Sequence, residues 1–158
     1  MDTAESLVRF FSEHRLTCAT AESCTGGGVG HAITAVPGSS AVFNGGIISY
    51  GNEIKQRLLG VPGQTLADFG AVSPECAAAM AIGARERLAA DFAVSITGIA
   101  GPGGGSAEKP VGLVCFAVSS KSGVVTDRRF FPGDRAAVRS AAIGHALRLL
   151  ISAAENSL

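Results

Sequence analysis

The segment opening at Ser73-Pro74-Glu75-Cys76 constrains this chain most. It offers a serine as N-cap, a proline at the first helical position, where its missing N–H costs nothing, and an acid in the first turn. An alanine-rich, almost wholly apolar helix follows to about residue 90, and Asp91 then leads into a strand over residues 92–97. Around this helix-strand unit the other elements alternate. Residues 4–14 carry Leu7, Val8, Phe10 and Phe11 at helical spacing, and 16–21 are short, apolar and β-compatible. Residues 25–35 read as a glycine-rich helix closed by Pro37-Gly38, 42–50 as a second strand, and 53–59 and 64–69 as helical pieces. A glycine and proline loop ends at Pro110, strands over 111–118 and 124–131 flank a turn at 121–123, and a final helix starts near Asp134. Alternation followed by a hairpin predicts an α/β fold: a three-layer α/β/α sandwich around a mixed sheet of about five strands, in one domain over 1–158. A purely parallel sheet is disfavoured, and neither a repeat nor a linker is visible.

Composition narrows the partners. With 47% hydrophobic and 16% charged residues the chain reads as globular, and 13 basic residues balance 13 acidic ones. No overall field therefore draws it to nucleic acid or to a membrane, so a small-molecule partner is expected. The N-terminus lacks the apolar core of a signal peptide and no apolar run approaches membrane-spanning length, which predicts a cytoplasmic protein. Cys18, Cys24, Cys76 and Cys115 are scattered without a C-x-x-C pair, so neither a zinc site nor a disulfide framework is signalled, and no metal or cofactor is expected. Cys24 reads as a small core residue rather than a reactive thiol.

Chemistry concentrates where strands end. In TAESCTGGG, residues 20–28, Ser23 falls at a junction between strand and helix. A hydroxyl there is either a nucleophile beside unpaired N–H groups and a helix dipole, or, with Thr25, an ordinary cap. His14, His31 and His145 all fall in predicted helices without an acidic partner in view, so a Ser-His-Asp triad is unsupported, and the G-x-S-x-G elbow is absent. Lys55 is the next candidate base. It follows the second strand, five residues after Tyr50, the only tyrosine; a desolvated lysine can take a proton from serine and a phenol can relay it, although both also read as ordinary surface residues. Ser106-Ala107-Glu108-Lys109 fits S-x-x-K but lies in a loop, where the lysine is not carried beneath the serine. That glycine-rich loop matches neither Walker A nor G-x-G-x-x-G, though after Thr97 it could form a backbone nest for a phosphate or a carboxamide oxygen. Arg135 and Arg139 stand four apart on the last helix, spaced either to grip a phosphate or to sit on a solvated face.

Five blocks in order, TAESCTGG at 20–27, SYGNEIK at 49–55, GAVSPE at 70–75, SITGIAGPGGGSAEKPVG at 95–112 and GDRAAVR at 133–139, resemble the nicotinamide-nucleotide amidohydrolase family, the C-terminal domain of the competence/damage-inducible protein CinA. The resemblance covers nearly the whole chain. It implies hydrolysis of nicotinamide mononucleotide to nicotinate mononucleotide and ammonia, in pyridine nucleotide salvage, without a metal or cofactor. Ser23 would be the nucleophile, Lys55 the general base and Tyr50 its hydroxyl partner. Thr97, Gly98 and Gly101 would line the substrate site, Arg135 would contact the phosphate, and Arg139 would be a further substrate contact. The resemblance also implies the α/β/α fold and self-association, a dimer being favoured. Longer family members carry an N-terminal domain that does not fit before Met1, so the stand-alone form is expected. Gly28 departs from the pattern, where a larger residue would be unsurprising, and is expected to loosen the helix start. Two other readings compete: a non-catalytic nucleotide-binding or regulatory module linked to competence or DNA damage, and an amidase for another small carboxamide.

Overall fold

Leu7, Val8 and Phe11 share one side of α1 (Thr3–Glu13) and are buried there, so the first helix is held by its apolar face. The computed structural model, which describes residues 3–158, continues through β1 (Cys18–Glu22), α2 (Gly28–Thr34), β2 (Phe43–Ile48), α3 (Asn52–Leu59), α4 (Gly63–Phe69), α5 (Pro74–Arg87), β3 (Phe92–Gly98), β4 (Leu113–Ser120), β5 (Gly123–Phe130) and α6 (Arg135–Asn156). Elements appear in the expected order, and three boundaries move for backbone reasons. Helix α2 starts at Gly28 rather than residue 25 because Gly26 and Gly27 hold φ of 59° and 103°, outside the right-handed helical region. Helix α5 stops at Arg87 rather than near 90, where Ala89 turns left-handed at φ 49°. Strand β4 begins at Leu113 rather than 111, because Gly112 (φ 97°) first turns the chain and bonds to Ile99 and Phe131.

The sheet is mixed, in the order β2-β1-β3-β4-β5. Strand β1 runs parallel to both β2 and β3, while β4 is antiparallel to β3 and to β5. Between β1 and β2 the register slips by one residue: Cys18 faces Phe43 and Ala19 faces Gly45. Asn44 is the extra residue, a bulge whose carboxamide donates to the Leu88 and Ala89 carbonyls at 2.9 and 3.3 Å.

Helices α1, α2 and α6 cover one face, where Phe11, Ile33, Val94, Ile96, Phe116 and Leu150 belong to a common core. Helix α5 covers the other. Its Cys76, Met80 and Ala84 meet Ala19, Ala21 and Ala93, and its Ala77 and Ala81 meet Leu113, Cys115 and Ala117. Small residues on both surfaces bring this helix close to the sheet, which accounts for its nearly unbroken apolar sequence. At Gly83 a Cβ would overlap the Leu59 carbonyl oxygen, so α5 also meets the end of α3 backbone to backbone.

This order positions a site. The chain passes from β1 to β2 on one side and returns across β1 to β3 on the other, so the carboxyl ends of all three parallel strands share one edge. In open α/β sheets ligands bind where the strand order reverses. Residues 23, 49–50 and 98 arrive there. Among the described residues no helix is long and apolar enough to cross a membrane.

Candidate active site

Ser23 follows directly on β1. Its N–H donates to the Ile96 carbonyl of β3 (2.9 Å), and its own carbonyl accepts from Gly26 N–H (3.1 Å). Lys55, one turn into α3, is 1% exposed. Its Nζ lies 3.0 Å from Ser23 Oγ and donates to the Ser49 and Tyr50 carbonyls at 2.7 and 2.9 Å. The fold thus brings together two residues 32 positions apart. Burial pushes the Lys55 ammonium below the ordinary lysine value of 10.5, against an opposing pull from the Cys76 and Cys24 thiols. In the neutral amine, two N–H bonds stay on the two carbonyls and the lone pair is left for the Ser23 hydroxyl proton.

The N-terminus of α2 serves a different residue from the one expected. Neither Ser23 nor Thr25 caps it: the N-cap is Gly27, without a side-chain bond. Glu22, 2% exposed, takes the Val29 and Gly30 N–H groups on its two carboxylate oxygens at 2.9 and 3.0 Å, and the Thr25 hydroxyl at 2.7 Å. The helix dipole therefore faces Glu22 rather than Ser23. The donors left beside Ser23 are the Cys24 and Thr25 amides, which have no acceptor on another residue among the described residues.

A cleft of about 210 Å³ opens over this pair, lined by Ser23, Cys24, Tyr50, Asn52, Lys55, Ala71, Val72, Thr97, Gly98, Ala100 and Arg135. Tyr50 reaches Lys55 through its backbone carbonyl, not its phenol. The ring is 61% exposed, and its hydroxyl accepts from Arg135 Nη2 at 3.2 Å. Arg135 Nη1 donates to the Gly101 carbonyl (2.7 Å), so Gly101 supports the rim without lining the cleft. Thr97 lines it and donates its hydroxyl to the Ala71 carbonyl (2.8 Å). Gly98 lies against β4, where a Cβ would come within 2.9 Å of the Leu113 carbonyl oxygen. Arg139 is outside the lining: its Nε and Nη2 donate to the Cys24 and Thr25 carbonyls, each at 3.1 Å. Asn52, unnoticed in the sequence, begins α3 and lines the cleft; its position between Tyr50 and Lys55 was the only signal.

The profile of the family described as the CinA C-terminal domain matches residues 1–154. The chain belongs to that family. A CinA-like protein of Parasynechococcus marenigrum is 60% identical over 120 residues, 75% of this chain and 28% of the relative. One from Leptospira borgpetersenii is 48% identical over 150 residues, 94% of this chain and 36% of the relative. The chain thus spans about a third of the length of such curated relatives. Two solved structures superpose closely. The competence/damage inducible protein CihA from Agrobacterium tumefaciens has a TM-score of 0.91 at 46% identity, covering 96% of both chains. A CinA superfamily protein from Escherichia coli has 0.91 at 36% identity, covering 94% of this chain and 87% of that one. The mixed five-strand α/β architecture is that of the CinA superfamily.

Other features of this CinA C-terminal domain take no part in the Ser23–Lys55 contact. The Cys24 thiol, on its wall, is pushed up to about 11, burial being the main cause, and so stays protonated near neutrality. Ser106 Oγ accepts from the Lys109 backbone N–H while Lys109 Nζ donates to the Phe69 carbonyl, so the S-x-x-K match is a turn and not a pair. His145 does have an acidic partner, contrary to the sequence reading: Asp127 lies 2.6 Å away. That pair packs against Phe116 and Phe131 and does not line the cleft. Gly28 lets α2 and α6 approach each other, since a Cβ there would come within 2.5 Å of Ile143 Cδ1 on α6. A larger depression of about 290 Å³ beside the β4–β5 turn and the end of α6 is lined without a titratable side chain.

Proposed function

We propose that this CinA-family domain is a serine amidohydrolase that converts nicotinamide mononucleotide to nicotinate mononucleotide and ammonia, in pyridine nucleotide salvage. The observation that carries the reading is the buried Lys55 Nζ, 3.0 Å from Ser23 Oγ and with its other hydrogens on backbone carbonyls. A lysine held this way, with its ammonium disfavoured by burial, acts as a base toward one atom.

In this reading neutral Lys55 takes the Ser23 hydroxyl proton as Oγ bonds to the carboxamide carbon, and the C=O pair moves onto oxygen. The Cys24 and Thr25 amides are the donors available to that oxyanion. Lys55 returns the proton to the nitrogen, the C–N bond breaks and ammonia leaves an ester on Ser23. A water then gives a proton to Lys55 and attacks the ester, and collapse restores the Ser23 hydroxyl and releases the acid. No step calls on a metal or cofactor. Arg135, with Tyr50 at the rim, offers its remaining guanidinium N–H to the substrate phosphate.

The test is ammonia release from nicotinamide mononucleotide by chelator-treated protein, beside Ser23→Ala and with free nicotinamide as a second substrate. Release from the mononucleotide alone, lost in Ser23→Ala, is expected. Binding without release would favour a nucleotide-binding module, and release from unphosphorylated carboxamides at equal rates would favour a different amidase.

A further inference from the structure

Arg135, Arg139 and Ile143 follow one another at four-residue intervals along α6 and form a single stripe facing the first third of the chain. Their contacts differ. Arg135 lines the cleft and Ile143 fills the space beside Gly28. Between them Arg139 lays one edge of its guanidinium along the turn after Ser23, with Nε on the Cys24 carbonyl and Nη2 on the Thr25 carbonyl.

A trans peptide is planar, and its C=O and N–H point in opposite directions. Holding the Cys24 carbonyl therefore also fixes the direction of the Thr25 N–H. The preceding peptide is fixed in the same manner, because Gly26 N–H holds the Ser23 carbonyl and so orients the Cys24 N–H. Neither of these two N–H groups has an acceptor on another residue among the described residues. Glu22 grips the same turn through the Thr25 hydroxyl and the first amides of α2. The turn is thus pinned at its side chain by Glu22 and at its carbonyls by Arg139.

We propose that Arg139 is a positioning residue: it sets the Cys24–Thr25 peptide so that its N–H stays free for the oxyanion formed at Ser23, and it does not touch the substrate. This assignment rests on the serine mechanism above. It divides the two arginines that sequence spacing pairs, giving Arg135 to the substrate and Arg139 to the backbone beside the nucleophile.

Arg139→Ala, Arg139→Lys and Arg135→Ala are compared in the full chain. Arg139→Ala should lower kcat by about 100-fold, the scale of an ångström-level misplacement of a reacting group, while KM changes by less than about threefold. Arg139→Lys, which can reach one carbonyl but not both, should fall between, with the same split. The midpoint of the pH–rate profile should stay where it is, since the contacts of Lys55 are untouched. Arg135→Ala should instead raise KM. Hydrogen–deuterium exchange over residues 22–30 should quicken in both Arg139 variants, and this readout needs no turnover. A rise in KM at unchanged kcat in Arg139→Lys would show a substrate contact and overturn the assignment, as would unchanged exchange in both variants. Wild-type protein that releases no ammonia would remove the proposed reaction, while the exchange comparison would still decide whether Arg139 holds the turn.

Discussion

In the proposed mechanism Lys55 links stability and activity through one proton. Its folded-state pKa lies below 10.5, so between that value and 10.5 the unfolded chain binds a proton that the folded chain has lost. Stability then rises with pH, because folding is favoured by removing protons that only the unfolded state holds. The slope approaches about 1.4 kcal/mol per pH unit inside that window and vanishes on either side of it. Lys55→Met removes this ionisation while keeping most of the chain length. Urea unfolding of both proteins from pH 7 to 11 isolates the effect as the difference between their stabilities. That difference should move in favour of the wild type as pH rises and level off above 10.5. The proposed serine attack needs the same neutral amine, so kcat/KM for ammonia release should rise with pH to a plateau, its half-maximal point falling at the pH where the stability difference begins to climb. Lys55→Met should lose about 10²- to 10⁴-fold in rate, the usual contribution of a general base. A stability difference that stays flat from pH 7 to 11, or a kcat/KM that does not rise with pH, would refute a depressed lysine serving as base.

Other expectations follow from single contacts. Glu22→Gln puts an amide nitrogen against an N–H or hydroxyl donor and forfeits a charge-assisted bond, costing about 2–4 kcal/mol, to be read as a lower urea midpoint; a change below about 0.5 kcal/mol would discard Glu22 as the acceptor that holds the start of α2. Gly83→Ala drives a methyl into the Leu59 carbonyl and should cost about 1–3 kcal/mol, with a loss of activity beyond that of the population unfolded because α3 carries Lys55. Cys24→Ala should keep activity within about an order of magnitude, and iodoacetamide at pH 8 should react slowly, since a thiol at about 11 is only about one part in a thousand thiolate there.

What could be read in the sequence was local. Ser73 accepts from Cys76 N–H and Asp134 from Ala137 N–H, as their N-cap positions predict, and the hairpin turn falls where Lys121-Ser122-Gly123 places it. The meeting of Ser23 and Lys55 follows from strand ends sharing an edge, which a strand-helix alternation anticipates. Helix α2 starts later than its glycine-rich segment predicts, because the adjacent glycines Gly26 and Gly27 take positive φ. Glu22 passed unnoticed since its partners are mostly backbone amides seven and eight residues on; a lone acid ending an apolar strand before a glycine-rich helix was the available sign. The roles of Tyr50 and Arg139 depend on which atoms face inward. Spacing cannot distinguish a phenol from a carbonyl, and the turn held by Arg139 lies 115 positions away in the chain.

The Asn44 bulge sets how the segment between Ser23 and Lys55 can vary in length. From Gly45 onward the chain is counted: Ile47 and Ile48 face Ala21 and Glu22, Ser49 N–H meets the Glu22 carbonyl, and the next two carbonyls grip Lys55. Because Asn44 faces no partner on β1, deleting it can leave a plain ladder with the downstream pairing kept, whereas deleting any of residues 45–48 either turns the strand over residue by residue or pulls the connection back by about 3.3 Å. Turning the strand over carries both carbonyls away from the lysine. Changes of length are therefore expected upstream of Gly45, while the ten steps from Gly45 to Lys55 act as a ruler that cannot be recut.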